Sequence, residues 1–218
     1  MSYMNTYLVK SFEEDHSTKI LVGKKKKTFQ TLENILSTKT IKPNTKSFGQ
    51  KRRLSTTILH ENYTKTYRPQ GIIFQTKMKP NYIMPFDLVL LSDAKEIVVH
   101  YYRIKNNLHI YYNHKLIDGY EKFIFKNIDL MLKKYKSPKI VWEELNTFRV
   151  AHGHAFLPHS KYRLVEYNEA VFLRPIKIKP VALFGYRKQT KILAKKYNLK
   201  YFRSAKEFYE RTYHTKSI

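Results

Sequence analysis

The sequence predicts a mixed α+β fold, with a split core of mostly antiparallel strands and helices flanking it. Three observations favour this class. Short apolar segments bounded by turn residues recur along the chain, two of them flank Asn106-Asn107 as the strands of a hairpin would, and segments with helical spacing of apolar residues interrupt the strands. A length of 218 residues suits one domain with a substantial core.

The first half of the chain contains most of the predicted strands. Residues 19–23 are expected to form a short buried strand, followed by a helix over residues 28–39 with Thr28 as its N-cap. Further strands are predicted at residues 71–75, 85–92, 96–105 and 108–113, with the hairpin turn at Asn106 and Asn107. The polar, basic stretch over residues 42–69 is predicted to lack regular structure, and such stretches are usually functional or mobile.

The second half is predicted to begin with two helices, one over residues 121–134 and one starting near Pro138. Three strands are predicted next, at residues 162–165, 169–173 and 181–186. Two helices are predicted after them, at residues 189–196 and 205–213. We expect residues 1–218 to form a single domain, with its core over about residues 19–186 and a helical C-terminal segment over residues 187–218.

The charge balance points to a polyanionic partner. The chain carries 42 Lys and Arg against 17 Asp and Glu, a net charge of +25. Cationic side chains that neutralise phosphates release counterions, and this favours binding to nucleic acid. The 18 tyrosines could stack on unpaired bases. A compositional bias towards Lys, Asn, Ile and Tyr is the alternative explanation of the charge.

Composition also excludes several classes of protein. The chain has no cysteine, which excludes disulfides, zinc–cysteine sites and a thiol nucleophile. Residues 1–10 are polar and lack the apolar core of a signal peptide, and no stretch approaches the roughly 18 apolar residues that span a membrane. We therefore expect a cytoplasmic protein that does not associate with membranes.

Common catalytic motifs are missing. There is no G-x-G-x-x-G, no G-x-x-x-x-G-K-[ST] and no G-x-S-x-G. Asp87 and Glu96 suggest the carboxylate pair of a metal-dependent nuclease, but Val98 stands where that class has a lysine. His152 and His154 could share one face of a strand and bind a metal. No carboxylate lies close in sequence to complete the set, so a surface or substrate-facing loop is favoured and no metal is expected.

Three features occur in order along the chain. KILVGK at residues 19–24 precedes LENIL at 32–36, KRRL at 51–54 precedes GIIF at 71–74, and YNEAVF at 167–172 precedes PVALFG at 180–185. In this combination the chain resembles the DarT-type branch of the ADP-ribosyltransferases, toxins of bacterial toxin–antitoxin pairs that modify nucleic-acid bases. The resemblance covers roughly residues 19–186 and is strongest around Arg53 and Glu169.

The resemblance implies an ADP-ribosyltransferase-like fold that uses NAD as its substrate and releases nicotinamide. It implies a base in nucleic acid as the acceptor, an antitoxin protein as a partner, and a role in a toxin–antitoxin or phage-defence system. Single-stranded DNA or RNA is the expected acceptor, because a base in a duplex must first be unstacked and flipped.

The expected catalytic residues follow from the chemistry of this family. Cleavage of the bond between nicotinamide and ribose builds positive charge on the ribose, which a nearby carboxylate stabilises in the transition state. Glu169 is the predicted carboxylate, and Glu166 is the alternative. Arg53 is predicted to bind the NAD pyrophosphate through its planar guanidinium, or to orient the acceptor, with Arg52 as the alternative.

The resemblance further implies that Val22, Gly23, Lys24, Arg52 and Phe74 contact NAD. In the family, the first strand often carries an H-x-T pattern that holds the NAD ribose. Val22 and Lys24 occupy those two positions here. If the alignment is correct, this chain must hold NAD in another way.

The segment before Glu169 is the predicted nucleic-acid contact. The resemblance implies that residues 155–163 form a loop facing the acceptor, and the residues expected to touch it are His154, His159, Lys161, Tyr162 and Arg163. Residues 46–67 are a second candidate surface. The alternative to an enzyme is a non-catalytic, basic nucleic-acid-binding protein with salt-sensitive binding and no NAD dependence. A transferase that modifies protein side chains is a third possibility.

Overall fold

The computed structural model describes residues 6–12, 31–43, 54–66, 68–91, 97–102, 107–112, 115–116 and 119–213. The strands in these ranges are numbered in chain order: β1 (Leu8–Phe12), β2 (Thr40–Ile41), β3 (Leu54–Ile58), β4 (Gln70–Gln75), β5 (Tyr82–Met84), β6 (Ile97–Tyr102), β7 (Asn107–Tyr112), β8 (Lys115–Leu116), β9 (Glu169–Phe172), β10 (Ile176–Lys177), β11 (Lys179–Phe184) and β12 (Lys200–Phe202). The α-helices are α1 (Leu32–Thr38), α2 (Ile128–Lys134), α3 (Pro138–Ala151), α4 (Lys188–Lys196) and α5 (Ala205–Tyr213). Three short 3-10 helices cover Leu88–Leu91, Tyr120–Phe123 and His159–Leu164.

The core is a seven-stranded sheet with the strand order β12-β11-β4-β1-β3-β9-β5. Neighbouring strands in it are antiparallel, except for β11 and β12, which run parallel on either side of α4. Strands β2 and β10 form a separate pair, and β6, β7 and β8 form a three-stranded sheet. The predicted class, α+β with a mostly antiparallel sheet and flanking helices, is confirmed.

Helices cover both faces of the large sheet. Leu8 of β1 belongs to the larger core cluster, which includes Leu193 of α4. The next residue along the strand, Val9, belongs to a second cluster that includes Phe208 of α5. Side chains alternate between the two faces of a strand, so these neighbours pack under different helices. The sheet draws its strands from residues 8 to 202, a wider span than residues 19–186.

Strand β1 lies at the centre of the sheet, between β3 and β4, although the sequence did not indicate a strand there. Its apolar residues are Leu8, Val9 and Phe12, with Lys10 and Ser11 between them. This spacing does not alternate with a period of two, so it does not indicate a strand. The strand is stabilised instead by its ladder, in which five residues pair with β4.

The predicted strand over residues 85–92 is wrong. The strand of this region is β5, which ends at Met84, and Leu88–Leu91 forms a 3-10 helix in which the Leu90 amide donates to the Asp87 carbonyl at 3.0 Å. A short apolar run does not distinguish a buried strand from a short buried helix. The predicted strand over residues 162–165 is also wrong, because the 3-10 helix His159–Leu164 follows Pro158 there.

The predicted helix over residues 121–134 is interrupted. Phe125 exchanges backbone hydrogen bonds with Ile83 of β5, at 2.9 and 2.7 Å, so its peptide groups bind the edge strand of the sheet. Helix α2 then begins at Ile128, with Asn127 as an N-cap that accepts the Asp129 amide at 2.7 Å. The stretch over residues 42–69 is likewise not wholly irregular, because it contains β3.

Helix α1 begins later than predicted. Its N-cap is Thr31, whose hydroxyl accepts the Asn34 amide at 3.1 Å, and not Thr28, which lies outside the described residues. The hairpin of β6 and β7 is confirmed, but Asn107 pairs with Tyr102 and so belongs to β7 and not to the predicted two-residue turn. The predicted strand over residues 19–23 lies outside the described residues.

The remaining predicted elements are confirmed to within a few residues. These are β4, α3, β9, β11, α4 and α5. Among the described helices, none is long and apolar enough to cross a membrane.

Candidate active site

Glu169 is the first residue of β9, a strand enclosed between β3 and β5. Its backbone pairs with that of Met84, and its side chain is only 2 % exposed. Ala170, Val171 and Phe172 follow it and are fully buried in the larger core cluster. The predicted carboxylate therefore lies at the end of a core strand, which fixes its backbone firmly.

Asn168 anchors the start of β9 to the end of β3. Its side-chain oxygen accepts the Ile58 amide at 2.9 Å, and its side-chain nitrogen donates to the Ile58 carbonyl at 2.8 Å. Asn168 is fully buried, so each of these polar groups requires a partner inside the protein. These two hydrogen bonds continue the contact between β3 and β9 two residues beyond the pair of Thr56 and Ala170, and they hold Glu169 at the start of its strand.

Tyr167 connects the same strand end to the segment after β5. Its hydroxyl donates to the Asp87 carboxylate at 2.9 Å, and Asp87 is half-buried. The Asp87 amide also donates to the Leu164 carbonyl at 3.4 Å. Asp87 therefore lies among the residues around Glu169, where it holds the 3-10 helix His159–Leu164 close to β5.

Glu166, the alternative carboxylate, is in a different environment from Glu169. It forms an ion pair with Lys65 at 2.6 Å, in which the side chains are 21 % and 61 % exposed. The residue lies in a bend after the 3-10 helix and not in a strand. An exposed pair of this kind contributes little stability, on the order of 0–1 kcal/mol.

The loop before the 3-10 helix is held by two polar residues of α3. The Arg149 guanidinium is fully buried and donates to the Ala155 carbonyl at 3.0 and 3.2 Å and to the Leu90 carbonyl at 2.8 Å. Asn146, also buried, accepts the Leu157 amide at 2.7 Å. These bonds fix the path of residues 155–157 against the helix.

The predicted nucleic-acid contacts come together on this loop and the helix after it. His159, Lys161 and Arg163 are exposed, and the His159 ring stacks on Tyr162 with 5.6 Å between ring centroids. Tyr162 also meets Trp142 of α3 edge to face at 5.3 Å. Burial, with a smaller contribution from the carboxylates of Glu166 and Glu143, raises the pKa of the Tyr162 hydroxyl.

His154 is half-buried, and its amide donates to the Arg149 carbonyl at 2.9 Å. It lies on the loop before Pro158, while His159, Lys161, Tyr162 and Arg163 form a compact basic and aromatic group on the 3-10 helix. The structure thus places the five predicted contacts on one continuous segment directly before Glu169.

Of the predicted NAD contacts, only Phe74 lies within the described part of the chain. Val22, Gly23, Lys24, Arg52 and Arg53 lie outside the described residues. The nearest described neighbour of Arg53 is Leu54, which pairs with Phe172 at the opposite end of β9 from Glu169.

Phe74 and Glu169 lie on opposite faces of the sheet. Phe74 of β4 pairs with Leu8 of β1, and Leu8 also pairs with Ile58 of β3. Thr56 lies two residues before Ile58 on β3 and pairs with Ala170 of β9. Paired residues share a face and adjacent residues alternate, so Phe74 shares its face with Ala170 and not with Glu169. Phe74 is also fully buried in the larger core cluster.

Two of the cavities among the described residues have the following linings. The larger, of about 380 Å³, lies between α1, β11 and the residues that follow α4, and is lined by Leu36, Lys39, Ile178, Lys179, Pro180, Tyr197 and Leu199. The smaller, of about 200 Å³, includes His60, Asp129, Tyr209 and Tyr213 in its lining. Glu169 lines neither of them.

In the described ranges, no group of three or more His, Asp or Glu side chains is arranged to hold a metal ion. His152 instead directs its ring Nδ1 to the Phe148 carbonyl at 2.8 Å and packs its ring on Phe148.

Several residues of this site were not predicted. The partners of Asn168 and Arg149 lie up to 110 residues away in the sequence, so no local pattern reveals them. A weak pattern existed for α3, where Asn146 and Arg149 are one turn apart and border the apolar face of Leu145 and Phe148. Polar residues next to an apolar helix face indicate buried hydrogen bonding.

Comparison of the chain with models of protein families, with curated proteins and with solved structures finds no match.

Proposed function

We propose that this protein is an NAD-dependent ADP-ribosyltransferase that modifies a base in single-stranded nucleic acid, with Glu169 as its catalytic carboxylate. One observation carries the proposal. Glu169 begins a strand enclosed in the sheet, is only 2 % exposed, and directly follows a segment that presents basic and aromatic side chains. A carboxylate held away from bulk water interacts strongly with a developing positive charge.

The reaction breaks the bond between the ribose C1 atom and the nicotinamide nitrogen. The electron pair of that bond leaves with neutral nicotinamide, and the ribose carries positive charge in the transition state. A nitrogen or oxygen of the acceptor base forms the new bond to C1 and loses its proton. Glu169 stabilises the charged ribose and accepts the proton of the acceptor.

The segment around the 3-10 helix would hold the acceptor. His159 and Tyr162 form a stacked pair at 5.6 Å, and base–aromatic stacking suits single strands of any sequence. Lys161 and Arg163 are exposed beside them and would bind the phosphates. We also propose an antitoxin protein as a partner that neutralises the activity. Expression of the chain without this partner would then be toxic.

Release of nicotinamide from NAD⁺ in the presence of single-stranded DNA or RNA tests the proposal. Glu169→Gln removes the negative charge at nearly constant volume, and we expect a fall in the rate of roughly 100-fold or more. Glu166→Gln is the matched control, because its ion pair with Lys65 is exposed and we expect no more than a small change. Equal rates for Glu169→Gln and the wild type would contradict the catalytic assignment.

A non-catalytic nucleic-acid-binding protein is the second candidate. Two observations favour it: the net charge of +25, and the position of Glu169, which lines neither of the two cavities described above. This candidate predicts binding that weakens with salt and no consumption of NAD⁺. The same assay therefore separates the two functions.

A further inference from the structure

The C-terminal part of the chain contains a long segment with no negative charge. Residues 170–206 include eleven Lys and Arg residues and not one Asp or Glu. This segment includes most of β9, then β10, β11, α4 and β12, and nine of its eleven cations lie in or after β11, towards the β12 edge of the sheet. No motif or resemblance assigns this edge a role.

Helix α4 separates its buried and charged residues onto opposite faces. Thr190, Leu193 and Ala194 are buried against the protein, while Lys188, Lys191 and Lys195 are exposed. At 100° per residue these three lysines fall within one 60° sector, opposite the buried face. Tyr186, 74 % exposed, lies just before the helix. We call Tyr186, Lys188, Lys191 and Lys195 the α4 basic face.

The three lysines form no ion pair with any residue in the described ranges, whereas other lysines do. Lys196, on the side of the same helix, pairs with Glu33 of α1 at 2.6 Å. Glu144 is within reach of both Lys122 and Lys134, at 3.3 and 3.5 Å. Three adjacent, uncompensated cations repel each other, and a bound polyanion relieves that repulsion.

The helix is held rigidly on the sheet. The Thr190 hydroxyl donates to the buried Gln70 side chain at 3.3 Å. Gly185, with φ 146°, brings the chain so close to Gln70 that a Cβ atom would come within 2.6 Å of the Gln70 Cβ. A rigid support keeps the lysines in a fixed row and lowers the entropy lost on binding.

We propose that the α4 basic face binds the sugar–phosphate backbone of single-stranded nucleic acid, with Tyr186 stacking on a base. The eight residues from Lys188 to Lys195 span about 10 Å along the helix axis. A row of cations of that length can contact several successive phosphates of one strand. An exposed tyrosine beside the row supplies the aromatic surface that unpaired bases use.

The surface fits nucleic acid better than a lipid membrane. A membrane-binding helix buries a broad apolar face, and on this side of α4 the one large apolar residue is Ile192, 48 % exposed. At the C-terminal end of α4, the 380 Å³ groove adds apolar walls, with Lys39 and Lys179 among its lining residues. The apolar walls suit a base, and the neighbouring ammonium groups suit its phosphate.

The inference deepens the proposed function, because it gives the nucleic-acid acceptor a second contact surface. Strands β11 and β9, which lie beside the two surfaces in the chain, are separated by β4, β1 and β3 and so are about 19 Å apart across the sheet. A single strand of several nucleotides can span a distance of this order. The inference concerns binding alone and requires no NAD chemistry, so binding at α4 can be established or refuted whether or not NAD⁺ is consumed.

Fluorescence anisotropy with a labelled single-stranded oligonucleotide, over a range of salt concentrations, tests this surface. In the triple variant Lys188→Glu, Lys191→Glu, Lys195→Glu we expect the affinity to fall about tenfold or more. The slope of log affinity against log salt should decrease in magnitude by about 2. Tyr186→Ala should weaken binding about fivefold or more, and Tyr186→Phe should bind as the wild type does.

The matched control is a second triple variant, Lys133→Glu, Lys136→Glu, Lys139→Glu. It makes the same change in net charge on exposed residues of the α2–α3 region. An unfolding curve for each variant confirms that it remains folded. Equal weakening by the two triple variants would overturn the proposal, since charge alone would then explain the binding. The proposal would also be overturned if the α4 variant kept its affinity for the oligonucleotide, or if this variant instead lost binding to phosphatidylserine vesicles.

Discussion

At the scale of single residues, Asn168 has the clearest structural role near the candidate site. It is the residue before the proposed catalytic carboxylate, and both ends of its amide bind the backbone of Ile58. The position of Glu169 thus depends on a neighbour that is not itself expected to touch the substrate.

Asn168→Ala should destabilise the protein strongly. The substitution leaves the Ile58 amide and carbonyl buried without their present partners, and we expect a loss of about 3 kcal/mol in the free energy of unfolding. Asn62→Ala is the control, because Asn62 donates to the Lys136 carbonyl at an exposed site and its loss should cost less than about 1 kcal/mol. Urea denaturation of both variants measures the difference, and similar losses would show that Asn168 is not a structural anchor.

His60 should make the stability depend on pH. Burial lowers the pKa of its imidazole, and the carboxylates of Glu61 and Asp129 offset this only in part. Its Nδ1 atom accepts the Asn62 amide at 3.4 Å, which requires the neutral ring. Below the unfolded-state pKa of about 6.5, the unfolded chain binds a proton that the folded chain resists. The stability contributed at neutral pH is therefore lost as the pH falls through 6.5 towards the lower folded pKa.

His60→Gln removes this contribution. We expect the free energy of unfolding of the wild type to fall more than that of the variant between pH 7.5 and pH 5.5. Chemical denaturation at both pH values measures this difference. The carboxylates titrate in both proteins and cancel in the comparison. An equal fall in the two proteins would show that His60 has the same pKa in the folded and unfolded states.

At the scale of elements, α3 supports the loop that precedes the candidate site. Arg149 and Asn146 bind the backbone of residues 155–157 at the Ala155 carbonyl and the Leu157 amide, and the 3-10 helix with the predicted nucleic-acid contacts follows. Buried polar residues of a helix thus determine the path of this loop together with the buried side chain of Leu157.

Arg149→Met should loosen that loop while keeping an apolar side chain of similar length in the core. We expect faster tryptic cleavage after Lys161 and Arg163, because the hydrogen bonds to Ala155 and Leu90 are lost. Lys139→Met, on the exposed side of α3, is the control and should be cleaved at the wild-type rate. Unchanged cleavage in Arg149→Met would show that the loop is held by other contacts.

Elements with a local pattern could be predicted, and those determined by distant partners could not. The apolar run after Glu169 and the spacing of Val141, Leu145 and Phe148 correctly indicated β9 and α3. The run over residues 85–92 was equally apolar, but its peptide groups form a 3-10 helix. Phe125 lies in a sequence of helical character, yet its backbone bonds to Ile83 of β5, more than 40 residues earlier.

At the scale of the whole molecule, a basic chain with a net charge of +25 folds into an antiparallel sheet with helices on both faces. The sequence predicted this class, and the nucleic-acid contact at His159, Lys161, Tyr162 and Arg163 stays a prediction. It did not predict that Phe74 and Glu169 lie on opposite faces, because that depends on the register of four strands. Register arises from pairing between distant segments and leaves no trace in local composition.

The central claim is that Glu169 supports transfer of ADP-ribose to nucleic acid. The most direct measurement is mass spectrometry of a single-stranded oligonucleotide, DNA or RNA, after incubation with NAD⁺ and either the wild type or Glu169→Gln. We predict that the wild type adds one ADP-ribosyl unit to a base and that folded Glu169→Gln adds none. An unmodified oligonucleotide with the wild type, or equal modification by Glu169→Gln, would contradict the claim.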